Sequence, residues 1–249
     1  MKSLFGNLSP TAASERWKLL LQNYGLKKAT AVCLAMVDDH HVRSFDRKYG
    51  VRTSGHIKLS KTSFDPSKLS KATAYGPVNA WGFRKLLRIL NLPKSCSFVD
   101  LGCGLGRACI LAAEYGFAKV TGVELAPELC NVARENIVNC QVTAAGKVPV
   151  HIVQGDVMNY CDDATDDVYF MYRPFSLDFL SEVVAKLAHR AASLRKPFTV
   201  IYSERLGHPQ SEGVATFTRI PAFRKMYEVS TFGQSFFVFR CEASASQLS

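Results

Sequence analysis

An apolar run that breaks into three glycines restricts this chain to a few folds. "SFVDLGCGLG", residues 97–106, sets Phe98, Val99 and Leu101 around Asp100, then gives Gly102, Gly104 and Gly106. The apolar, β-rich residues read as a buried strand. Glycines at its end let the backbone turn sharply and pass close to a ligand, because no Cβ intrudes. The spacing is Gly-x-Gly-x-Gly, with Arg107 where a dinucleotide-binding turn has its third glycine. No Gly-Lys-Ser/Thr is present, which argues against a phosphate-binding P-loop. By itself the triplet leaves both a nucleotide-like ligand and a tight structural turn open.

The rest of the chain narrows the choice. Apolar strand patterns at 96–101, 119–124, 148–153, 167–172 and 198–203 alternate with helical patterns at about 105–116, 127–139 and 176–194. Such alternation predicts a parallel sheet with helices on both faces. The tail, "FRKMYEVSTFGQSFFVFRCE", predicts two strands around Gly233, an antiparallel hairpin. Pro77 suits the first turn of a helix reaching about Ile89. Residues 12–36 read as helical and 37–73 as irregular. The expectation is a Rossmann-like seven-stranded α/β domain over 74–249, preceded by a helical and basic extension over 1–73.

Two acids stand at useful positions beyond the glycines. Glu124 ends the second strand, twenty residues after Gly104. A carboxylate there can accept from both hydroxyls of a ribose. After the third strand come Gly155, Asp156 and Val157, an acid and an apolar residue able to bracket an adenine.

The net charge of +10 is unevenly placed. Between Arg43 and Lys71 stand eight Lys or Arg (43, 47, 48, 52, 58, 61, 68, 71) against Asp46 and Asp65. That segment is either a solvated basic loop or a surface for an acidic partner, RNA or protein. No apolar run approaches the roughly 18 residues of a membrane span. The eight cysteines form no Cys-x-x-Cys pair, so a zinc knuckle or dithiol site is not supported. Several lie in apolar stretches, as thiols do in a reducing compartment, and a soluble cytoplasmic protein is expected.

The three motifs "FVDLGCGLGRACILAA", "VTGVELAPELC" and "QGDV" resemble, in order, the cofactor motifs of class I S-adenosylmethionine-dependent methyltransferases. The resemblance implies S-adenosylmethionine as cofactor. Asp100 would orient the glycine loop (Gly102, Gly104, Gly106) and the methionine end, Glu124 would hold the ribose and Asp156 the adenine, with Leu125 and Val157 as further cofactor contacts. "ATAYGPVNAWGFRKLL" adds a Tyr-Gly and a helix before the first strand, an order similar to non-SET protein lysine methyltransferases. In those enzymes the upstream tyrosine lies over the methionine portion, which makes Tyr75 a further cofactor contact. Pro77 stands where the histone enzymes have Glu.

The methyl acceptor is sought at the end of the fourth strand. Enzymes that methylate amide or base amino nitrogens often carry Asn-Pro-Pro-Tyr/Phe there. This chain has Tyr172-Arg173-Pro174-Phe175, which puts that chemistry in doubt. Tyr172 and Phe175 are the catalytic candidates, lining a water-poor channel with cation–π contact to an ammonium or sulfonium. A protein lysine amine, on a translation-related or acidic protein, is the favoured acceptor. RNA and a small molecule are the alternatives. Tyr169, Phe170 and Met171 are expected in the core. The acids 162, 163, 166 and 167 either guide a cationic substrate or form a solvated loop. No metal is expected, since the adjacent "DDHH" at 38–41 cannot converge on one ion. His151 reads as structural, and Cys103 has no base placed beside it. "FDRKYGVRTSG", residues 45–55, suggests a cap and no more.

Overall fold

The computed structural model describes residues 43–54, 75–205, 210–231 and 234–243. The helix expected over 12–36 and the "DDHH" stretch lie outside the described residues. Residues 43–49 form helix α1. Then come α2 (Ala80–Leu90), β1 (Ser97–Leu101), α3 (Arg107–Tyr115), β2 (Lys119–Glu124), α4 (Pro127–Asn139) and the single turn α5 (Gln141–Ala144). β3 (Val150–Gln154), α6 (Val157–Asp163), β4 (Val168–Tyr172), α7 (Leu177–Leu194) and β5 (Phe198–Arg205) continue the alternation. The chain closes with α8 (Gln210–Thr218), β6 (Phe223–Thr231) and β7 (Gln234–Cys241).

The seven strands make one sheet in the order β3-β2-β1-β4-β5-β7-β6. β1 to β5 pair in parallel, and β7 lies antiparallel between β5 and β6. This is the predicted Rossmann-like sheet with a reversed C-terminal hairpin. Strand order reverses between β1 and β4, so a crevice opens at their carboxyl ends, where open α/β sheets bind ligands.

Alternation along the central strands feeds two cores. Phe98 and Phe170 point to one face, against Phe83 and Leu86 of α2 and Ile110 of α3. Val99, Leu101, Tyr169 and Met171 point to the other, against Leu180 and Val184 of α7 and Phe217. Phe83 meets Phe170 edge-on at 4.9 Å, and Phe98 stacks on Phe117 at 5.3 Å, arrangements that rings prefer over a face-to-face sandwich. Tyr169, Phe170 and Met171 are all buried, as expected.

Four local expectations change. α2 begins at Ala80, not at Pro77, because the Asn79 side chain accepts from Gly82 N–H at 2.8 Å and caps it there. α6 (Val157–Asp163) arises where the sequence marks no helix: Asp156 accepts from Met158 N–H at 3.0 Å and starts it. Residues 43–49 are helical within the segment read as irregular, with Phe45, Tyr49 and Val51 buried in the first core. His151 is exposed, since β3 is an edge strand. Among the described residues no helix is long and apolar enough to cross a membrane.

Candidate active site

β1 ends at the sheet's crevice, and the chain then crosses toward β2: Gly102 and Cys103 N–H both donate to the Val123 carbonyl, at 2.9 and 3.0 Å. Gly102, Gly104 and Gly106 all have positive φ (85°, 54° and 81°), and Gly106 caps the start of α3. Two of these glycines are also needed for space. A Cβ on Gly102 would lie 2.5 Å from Pro174 Cβ, and one on Gly104 would fall into the Tyr75 ring. The glycine loop is therefore covered from two directions, by Tyr75 and by the segment after β4.

Glu124 sits beneath the loop and is 8% exposed. Its Oε2 accepts from Gly104 N–H at 2.9 Å, and its Oε1 from Leu125 and Ala126 N–H at 2.8 and 2.9 Å. The carboxylate that the sequence assigns to a ribose thus already ties the loop to the end of β2. Burial pushes its pKa up despite these three donors, which oppose the rise. Asp100 is buried nearby at the end of β1, and burial first, then the Glu124 charge, hold its carboxyl well above the ordinary range. Two acids driven toward neutrality on adjacent strands form a site that a cation would stabilise in its charged state.

Among the other predicted cofactor residues, Leu125 is half-buried and Asp156 is the α6 cap. Val157 is buried in the second core, so its side chain faces inward. Tyr75 is half-buried, packs beside Leu105, Ala126 and Leu129, and donates its hydroxyl to the Thr53 carbonyl at 2.8 Å. Burial raises the phenol pKa, with Arg107 opposing, so the hydroxyl stays neutral. Tyr172 and Phe175 are both half-buried at the exit of β4. Phe175 meets Phe179 edge-on at 5.1 Å, and Pro174 rests on Gly102. Arg173, at φ 38°, turns the chain between them.

The acid cluster before β4 divides. Asp166 is buried and accepts from the Tyr160 hydroxyl at 2.7 Å, and Asp167 accepts from Ser97 N–H at 2.8 Å. These are structural bonds. Asp162 pairs with Lys186 at 2.6 Å at the surface. The Cys103 thiol hydrogen-bonds Cys109 and its pKa is raised well up, which keeps it an inert thiol.

Three residues that shape the site have no role that the sequence could suggest. Arg107, 2% exposed, pairs with Asp46 at 3.1 Å and donates from Nε to the Thr53 hydroxyl at 2.7 Å. For Arg107 the sequence signal is negative, a missing glycine. Asp46 and Thr53 lie within "FDRKYGVRTSG", a stretch with no assigned chemistry.

Residues 98–206 match the sequence profile of a methyltransferase domain. These residues carry a methyltransferase domain, on the Rossmann-like sheet described above. The chain is 39% identical over 114 residues to a ribosomal protein L11 methyltransferase from Laribacter hongkongensis, covering 42% of this chain. It spans only 38% of that relative's length, so the similarity is confined to a part of it. In fold it resembles an RNA methyltransferase from Salinibacter ruber solved with S-adenosyl-L-homocysteine, at TM-score 0.50 and 19% identity, over 68% of this chain and 95% of the other. TrmN from Thermus thermophilus matches at TM-score 0.52 and 18% identity, over 67% and 50%. The methyltransferase domain takes S-adenosylmethionine as its cofactor. The glycine cradle and the paired acids Asp100 and Glu124 fit a ligand that carries both a sulfonium and an ammonium.

Proposed function

We propose that this protein is an S-adenosylmethionine-dependent methyltransferase whose acceptor is a protein side-chain amine, most simply a lysine. The observation that carries the acceptor class is the aromatic exit of β4, where Tyr172 ends the strand, Pro174 and Phe175 border Gly102, and no asparagine stands among them. The name of the Laribacter relative, a ribosomal protein methyltransferase, supports a translation-related protein substrate.

S-adenosylmethionine supplies a methyl group on a sulfonium, a good leaving group, so little acid–base machinery is required. Glu124 holds the glycine loop, and Asp100 and Glu124 together favour a cation beside it. Asp156, at the start of α6, bounds the adenine, and Val157 beside it anchors that turn in the core. Tyr172 and Phe175 keep water from the incoming amine and orient it for in-line attack. A lysine amine has an ordinary pKa of about 10.4 and must lose a proton first. An apolar aromatic surround and a nearby sulfonium both lower that value.

RNA is the second reading, favoured by the net charge of +10 and by Arg43, Arg47, Lys48 and Arg52 on and after α1. One experiment separates the two. The purified protein is incubated with methyl-labelled cofactor and bacterial extract, then treated with RNase or protease. A labelled band that survives RNase and is lost to protease is expected. Label lost to RNase would replace the protein reading with the RNA one.

A further inference from the structure

The segment "FDRKYGVRTSG" is built around one carboxylate. Asp46 Oδ2 accepts from Thr53 N–H at 2.9 Å and from Ser54 N–H at 2.7 Å. Its Oδ1 accepts from the Thr53 hydroxyl at 2.5 Å and from Arg107 Nη2 at 3.1 Å. Arg107 also donates from Nε to the Thr53 hydroxyl at 2.7 Å, and its guanidinium lies 4.5 Å from the centre of the Phe45 ring. Thr53 is fully buried and held on three sides. Its carbonyl is what the Tyr75 hydroxyl grips, and the Tyr75 ring covers Gly104.

A second tie runs parallel to the first. Asn136, at the end of α4 and 2% exposed, donates to the Leu105 carbonyl in the glycine loop at 2.9 Å and to the Arg52 carbonyl at 3.1 Å. Its own side-chain oxygen accepts from Arg52 N–H at 2.8 Å. The segment is thus bound to the glycine loop on both flanks. An arrangement serving only the fold would have no need to end on the ring that covers the cofactor's cradle. A buried ion pair is weak evidence for stability, and in some proteins such pairs fix geometry instead.

We propose that Asp46, Thr53 and Arg107 are positioning residues for the cofactor, a strap that holds Tyr75 over the glycine loop. The proposal rests on the assignment of S-adenosylmethionine to that loop. Arg107 stands in place of a third glycine because its side chain is needed to reach the strap. By reciprocity, whatever the strap contributes to cofactor binding, the bound cofactor returns as order in the strap.

The test uses the full chain and S-adenosylhomocysteine as probe, with affinity from calorimetry and melting temperature measured beside it. Tyr75→Phe removes one hydrogen bond and leaves the ring, and Asp46→Asn loosens Thr53 and Arg107. Each should weaken affinity by about 5- to 10-fold, the scale of one hydrogen bond. The double variant should be no weaker than the weaker single one, since both act through Thr53. Effects that multiply would overturn the strap. Tyr49→Phe, which touches Glu114 and Arg84 in the same region, should lower the melting temperature with affinity unchanged. If it lowers affinity as Asp46→Asn does, the effect is general loosening and the strap fails.

A measurement on the unaltered protein covers the case in which Asp46→Asn does not fold. Saturating S-adenosylhomocysteine should slow hydrogen exchange at the amides of Arg52, Thr53 and Ser54. Binding without that protection overturns the proposal, whereas no binding at all by the unaltered protein would overturn the cofactor assignment itself.

Discussion

The Tyr75 ring stands where a side chain on Gly104 would have to go. Gly104 therefore faces two obstacles to substitution, a φ of 54° and an occupied volume. Gly146, at φ 66° with nothing within 4 Å of its Cβ position, faces only the first. Gly146→Ala should cost roughly 1–2 kcal/mol of stability, the strain of a left-handed residue. Gly104→Ala should cost more and should lower S-adenosylhomocysteine affinity as well, because Tyr75 must move. Urea unfolding and calorimetry on the two variants decide it; equal stability and equal affinity would mean Tyr75 does not rest on the loop.

Glu124 joins the fold to the proposed ribose site. Its carboxylate receives three backbone N–H groups, so Glu124→Ala leaves buried donors without an acceptor. A loss of about 1–3 kcal/mol is expected in the ligand-free protein, with weaker cofactor binding on top. Glu124→Gln keeps a carbonyl oxygen for part of the set and should fall between. Thermal melts with and without S-adenosylhomocysteine measure both effects. Lost affinity at unchanged stability would place the carboxylate on the ligand alone.

The central strands are legible in the sequence because they are buried, β-rich runs that alternate with helical patterns. β2 and α4 fall on the residues that the sequence marks, 119–124 and 127–139. Legibility fails where a side chain decides the local structure. Asp156 reads as a ligand contact and also caps α6; Asn79 moves the start of α2 past Pro77. The cradle can be read from Gly102, Gly104 and Glu124, which stand in successive motifs. The strap cannot. Asp46 and Arg107 lie 61 residues apart, and no spacing rule links an acid in one element to an arginine in another.

Buried acids give the stability a definite slope with pH. Burial, above all, raises the pKa of Asp100, Glu124 and Glu204. A raised acid is neutral in the fold where it is ionised in the unfolded chain. Its contribution is complete below the ordinary carboxylate range and is lost as pH rises toward its folded value. Glu204 is suited to a test. It is 3% exposed at the end of β5, with Oε1 accepting from the Tyr202 hydroxyl at 2.8 Å and Oε2 lacking a hydrogen-bond partner among the described residues. Glu204→Gln retains the tyrosine bond and removes the titration. Urea midpoints from about pH 5 to 8 should fall less steeply for this variant. An unchanged slope would mean that Glu204 ionises freely in the fold.

Phe175 tests the acceptor side separately from the cofactor side. It comes directly after Pro174, which is pinned on Gly102, and its ring meets Phe179 edge-on. Truncation to alanine leaves Asp100, Glu124 and the glycine cradle in place but opens the exit of β4 to water. Phe175→Ala should therefore keep S-adenosylhomocysteine affinity within about twofold, because the residues proposed to hold the adenine and ribose do not include it. Methyl transfer should fall by about 10- to 100-fold, the scale of a misplaced reacting group. Tyr172→Ala should behave alike, and Tyr172→Phe should retain most activity if the ring rather than the hydroxyl shapes the channel. Initial rates of labelled methyl incorporation into the protein fraction of an extract measure it. If both alanine variants transfer at the unaltered rate, the acceptor enters by another route and the aromatic exit of β4 has no part in catalysis.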